Sequence, residues 1–224
     1  MPRHKPASLA RNGTSLSRSV GFRTPRKTLL VLCEGKRSEP EYISALSRER
    51  DVHELAAVRI MVDPQSSGFA PMTLVRRAVE MRRRTSEAND EVDEVWCVFD
   101  VEWPGTSSHH PNLLEAVQLA QSSDVRVAIS NPSFELWLIL HVRACSRFLT
   151  NSDAKRLRAE CDGSSDKGID GPFYMSRRTK AAERAIELEK KHRGDNTQFP
   201  DDNPSSGMHM LLASVTPPIN PEEA

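Results

Sequence analysis

The chain opens its regular pattern with an uninterrupted apolar run, Thr28 to Cys33, closed by Gly35. A run that short, without polar alternation, predicts a strand buried on both faces. Ala57 to Val62 has the same character ahead of Asp63-Pro64, and Val125 to Ile129 predicts another strand. Glu94 to Asp100 (EVWCVFD) is the strongest β signal, rich in β-branched and aromatic residues. Between the strands the apolar period becomes helical. Ser38-Glu39-Pro40-Glu41 has the spacing of a capping box with proline in the first turn, predicting a helix to about Arg50. After Pro71, residues Leu74, Val75, Ala78, Val79 and Met81 recur at helical spacing with arginines opposite, and a further helix is expected from about Asn112 to Ser122.

Strands alternating with helices imply right-handed crossovers. The expected fold is therefore α/β, an open, mainly parallel four-stranded sheet with helices on both faces. An apolar helix from Pro132 to His141 should follow, then one from Ser152 to about Glu160, and a charged one from about Ser176 to Arg193. The expected divisions are a disordered basic arm (1–27), an α/β core (28–145), a helical C-terminal extension (146–215) and a flexible tail (216–224).

Composition adds limits to this picture. No apolar run approaches the roughly 20 residues that cross a bilayer, and the basic N-terminal stretch lacks the apolar block of a secretory signal. A cytoplasmic protein without membrane association is expected. Cys33, Cys97, Cys145 and Cys161 form no Cys-x-x-Cys pair and suit structural thiols in a reducing compartment. The 31 basic and 31 acidic side chains cancel, yet no acid precedes Glu34. The arm is thus either a solvated tail or a weak contact for a polyanion.

In open parallel sheets, ligands bind outside the carboxyl ends of the strands. Glu34 leaves the first strand there and Asp100 the third. Glu102 follows two residues on, and Glu135 lies in the first turn of the helix after the fourth strand. Ionised carboxylates brought together repel each other, and an all-oxygen set meeting phosphate suits Mg2+ or Mn2+ better than zinc. Lys36 could neutralise a phosphate. Each residue also has a structural reading: Glu34 as turn support, Lys36 as a surface lysine, Glu39 and Glu41 as helix-capping acids. Glu135 suits a metal and its own helix N-terminus equally well. His141 closes an apolar helix, where it would favour the C-terminal dipole.

Three segments, LCEGKRSEPEY (32–42), VWCVFD (95–100) and SNPSFELW (130–137), together resemble the RloB-like family, over about Thr28 to Val215. That family is similar to Toprim domains and occurs beside restriction-modification and phage-defence genes. The resemblance implies that Glu34 handles protons or binds metal and that Asp100 and Glu102 hold the ion. Glu102 stands where the Toprim pattern has a second aspartate, which lengthens that arm by one methylene. Asn203-Pro204-Ser205-Ser206-Gly207-Met208-His209 is similar to a late segment of the family. Its serines would cap a short helix, and His209 would be a proton carrier, a phosphate donor or simply an exposed side chain.

The implied function is a metal-dependent nuclease acting on DNA or RNA, tRNA included, in defence against phage. The alternatives are a non-catalytic nucleic-acid-binding or regulatory subunit and a nucleotidyl- or phosphotransferase. The chain has no P-loop, so ATP-driven sensing would need an ATPase partner encoded nearby.

Overall fold

Four of the apolar segments pair as a parallel sheet, and the two central ones are buried on both faces and so need cover on both. The computed structural model describes residues 27–55, 58–88, 92–101, 110–163 and 168–216. Its strands are β1 (Lys27–Cys33), β2 (Val58–Val62), β3 (Glu94–Asp100), β4 (Val125–Asn131) and β5 (Ser205–Ser206), in the order β2-β1-β3-β4-β5. The first four are parallel, and the two-residue β5 runs antiparallel to the end of β4. The fold is the α/β, mostly parallel sheet flanked by helices that the sequence predicts, with one short strand more.

Alternation along the strands sorts the core into two layers. Leu30, Leu32, Val95, Cys97 and Phe99 face α2 (Pro71–Ala88) and α3 (His110–Ser122). Leu29, Val31, Trp96 and Val98 face the other way. That layer holds α1 (Ser38–Leu46), α4 (Phe134–Val142), α5 (Asn151–Asp162), α6 (Gly171–Met175), α7 (Arg178–Gly194) and α8 (Met208–Val215). The late helices therefore share one apolar core with α1 and α4.

Several local expectations are corrected. Lys27 belongs to β1 rather than the arm, because its ammonium bonds Ser214 and pairs with Glu94 at 2.8 Å; residues 1–26 lie outside the described ones. The capping box at Ser38 does not form: Arg37 is the N-cap, and Glu41 instead accepts from Arg37 and from the Ile169 N–H. α1 ends at Leu46, ahead of a π-helical turn at Asp51–Leu55. α4 starts at Phe134, two residues after Pro132. The charged late helix forms as α7, and the expected loop ahead of it holds the short helix α6 as well. Ser205 and Ser206 form β5 instead of capping α8, whose N-cap is Gly207.

His141 also departs from expectation. It is buried, its Nδ1–H donates to the Trp137 carbonyl, and its Nε2 accepts from the Tyr42 hydroxyl at 3.1 Å. Burial first, and then the charges of Arg184 and Arg177, lower its pKa to about 4, so the ring is neutral and offers the helix dipole no charge. Arg184 serves that helix end instead, bonding the Leu140 carbonyl. Because the folded pKa lies below the ordinary value of about 6.5, this contribution is complete above pH 6.5 and is lost as pH falls towards 4. The loss is about 3 kcal/mol. Urea unfolding of the parent and of His141→Gln should diverge by that amount across this window, and parallel curves would show that His141 does not titrate there.

Candidate active site

The carboxyl ends of β1, β2, β3 and β4 form one rim, because register aligns Cys33 with Val98 and Asp100 with Ser130. Glu34 continues β1 by one bond to the Val98 carbonyl, and its own carbonyl accepts from Gly68 at 2.6 Å. Its Oε2 accepts from the Asp100 N–H at 3.1 Å, so the two acids are tied through the backbone. Asp100 follows Val98 and Trp96 by twos and so points into the layer beneath α1 and α4.

A pocket of about 500 Å³ opens on this rim. Three helix starts converge on it: Ser38 and Glu39 of α1, Phe134 and Glu135 of α4, and Asn151 of α5. Helix N-termini favour negative charge, which helps the fold tolerate a group of acids. They do not suffice for Asp100. Burial, and then the charges of Glu39, Glu135 and Glu34, push its pKa well above the usual carboxylate range, although the Phe134 N–H bonds the carboxylate and acts the other way. Its Oδ1 is buried without a hydrogen-bond partner.

Glu34, Asp100, Glu135 and Lys36 all line this pocket, the lysine from the solvent side. Both readings of Glu135 persist, since it is half-buried in the first turn of α4 and accepts from Ser133 Oγ at 2.6 Å. Glu102 lies outside the described residues. His209 is not brought to the pocket. It lines a separate cavity between α3, α7 and α8, where Nδ1–H donates to the Ser206 carbonyl and Nε2 faces Glu189 at 3.3 Å.

Glu39, Asn151 and Lys155 join the pocket beyond the residues that the sequence places there. Glu39, read as a capping acid, is buried. Its place three, four and seven residues before Tyr42, Ile43 and Leu46 puts it on the buried stripe of α1, which is the pattern that reveals it. Its carboxylate lies over Gly35, where a Cβ would come within 1.9 Å of Oε2. Asn151 and Lys155, four apart on α5, bring an amide and a cation from the C-terminal extension. The Asn151 Oδ1 is buried without a partner. Gly68 shapes the opposite wall with φ +84°, a conformation that L side chains rarely adopt.

Among the described residues, no three His, Cys, Asp or Glu side chains stand ready as a metal-ligand set. The chemistry of the pocket nevertheless fits a hard cation. Its carboxylates offer only oxygen donors, two buried oxygens of its lining (Asp100 Oδ1 and Asn151 Oδ1) have no partner, and four acids meet there in low dielectric. Asp100 and Glu34 would hold such an ion, with Glu39 and Glu135 beside them.

The family model for RloB-like protein matches residues 29–215. No curated protein and no solved structure matches the chain. Among the described residues, no helix is long and apolar enough to cross a membrane.

Proposed function

This chain belongs to the RloB-like family, and on that premise we propose that it is a magnesium- or manganese-dependent nuclease acting in defence against phage. One observation carries the reading: Asp100, half-buried at the strand rim, with a buried Oδ1 that has no partner and three acids nearby. A bound divalent cation would offset that charge, polarise a phosphoryl oxygen and acidify a water. The residues of the chain supply the rest. Glu34, fixed by the Asp100 N–H, is placed to take a proton. Lys36 and Lys155 line the pocket and would neutralise the non-bridging oxygens of a phosphodiester. The helix starts of α1, α4 and α5 orient N–H groups towards the same anion.

A second reading, a nucleic-acid-binding subunit without turnover, draws on the missing ready-made ligand set among the described residues. An ATPase partner, absent a P-loop in this chain, belongs to either reading. Chelation separates the two. Cleavage of labelled DNA or RNA by the full chain, with any partner encoded beside it, should cease in EDTA and return with Mg2+ or Mn2+. Cleavage that persists after complete removal of divalent ions would overturn the proposed chemistry, and binding without cleavage under every condition would favour the subunit.

A further inference from the structure

Along α5 from the carboxylate pocket lies a second one, walled by Arg143, Arg147, Arg156 and Glu160. Lys155 and Arg156 are consecutive residues of α5, the first facing the carboxylates and the second facing this basic hollow. Arg143 and Arg156 are partly neutralised by Glu160 and Asp153. Among the described residues, Arg147 and Lys155 have no carboxylate partner, so the surface keeps excess positive charge.

Phe148 directly follows Arg147, the last residue of the 143–147 stretch that walls the hollow. At 55% exposure it is the most exposed large apolar side chain among the described residues. Leaving an aromatic ring in water is unfavourable unless something covers it, and its backbone is firmly held. The next residue, Leu149, is fully buried and clamped on both its N–H and its carbonyl by the Asn203 amide, at 3.0 and 2.9 Å. Thr150 then closes a reciprocal capping box with Asp153 at the start of α5. Asn203 thereby gains a role: the late Asn-Pro-Ser-Ser segment holds the backbone of the residue next to the one that carries the ring.

We infer that this surface is a track for single-stranded nucleic acid. The strand would run from the carboxylate pocket across α5, its phosphates meeting Lys155, Arg156 and Arg147 in turn and one base stacking on Phe148. An exposed aromatic ring on a held stretch of backbone, next in the chain to an arginine without a carboxylate partner, is a combination that can hold unpaired bases without reading their sequence. A duplex keeps its base faces stacked internally and cannot cover the ring. The inference rests on the nuclease reading only for the direction of the strand, since the surface itself needs no metal.

The test is fluorescence anisotropy with the full chain in EDTA, where cleavage is absent. The probes are a short labelled oligodeoxyribonucleotide, the matching oligoribonucleotide and their duplex forms. Single strands should bind about 10-fold or more tightly than duplexes, and the two single-stranded arms show whether the sugar matters. Phe148→Ala should weaken single-strand binding about 5- to 100-fold, whereas Phe148→Tyr should retain it. Arg147→Ala should reduce the salt dependence by about one phosphate contact. Binding that is undetectable, equal for duplexes, or unchanged in both Phe148→Ala and Arg147→Ala would overturn the track; the last two would leave the basic arm or another surface as the binding element. Loss of cleavage with the track intact would instead overturn only the nuclease reading.

Discussion

Asp100→Asn is expected to lower cleavage by more than about 100-fold and, without metal, to make the protein more stable than the parent at neutral pH. The activity loss follows from removing a candidate ligand, since changes to outer-shell partners of metals already cost about 10- to 100-fold. The gain in stability follows from the surroundings. At Asp100 a half-buried carboxylate, with Oδ1 shut off from water, faces Glu39, Glu135 and Glu34. The amide of Asn can keep the bond from the Phe134 N–H and donate its own N–H groups to those acids, turning repulsion into hydrogen bonds. The sign can be checked with pH. A carboxyl whose folded pKa is raised binds its proton more tightly when folded, so its cost is absent below about pH 3.9 and grows as pH rises towards the folded value. The advantage of the variant should therefore shrink on acidification. A variant that is both inactive and less stable at neutral pH would assign Asp100 a structural role.

The second large effect concerns the fold that carries the site. Arg158→Ala should cost about 3 to 5 kcal/mol in urea unfolding, the loss typical of breaking one half of a buried ion pair. Arg158 and Asp162 are 5% and 7% exposed and lie 2.8 Å apart. Tyr174 donates to the same carboxylate at 2.5 Å, and Arg158 also bonds the Gly168 carbonyl. Removing the guanidinium leaves an acid and a carbonyl buried together. Replacing both charges, as in Arg158→Met with Asp162→Leu, should cost less than the single change. An Arg158→Ala variant within about 0.5 kcal/mol of the parent, the range of ordinary surface changes, would show that the pair is solvated.

The sheet was legible because its strands are short apolar runs bounded by turn residues, with β1 and β3 buried on both faces; the predicted and observed limits of β3 coincide. β5 was not legible, since two serines carry no strand pattern, and they pair only because β4 offers its end to them. The capping box at Ser38 misled because the chain enters α1 one residue earlier, at Arg37, and Glu41 is drawn to partners outside the helix start. Glu34, Asp100 and Glu135 could be placed at one rim from strand ends alone. Asn151 and Lys155 could not, because no local pattern says on which side of the sheet α5 returns. His209 and Arg158 show the same limit: sequence spacing showed their neighbours on a helix but not which cavity or core the helix faces.

The central claim is that the carboxylates at the strand rim hold a divalent cation, and manganese binding followed by electron paramagnetic resonance tests it most directly. Titration of the full-length parent should show a saturable Mn2+ site that Mg2+ displaces, and the same site should be lost or weakened at least about 10-fold in Glu34→Gln and in Asp100→Asn, both still folded. Mn2+ bound equally well by the parent and both variants, or by none of them, would contradict the account.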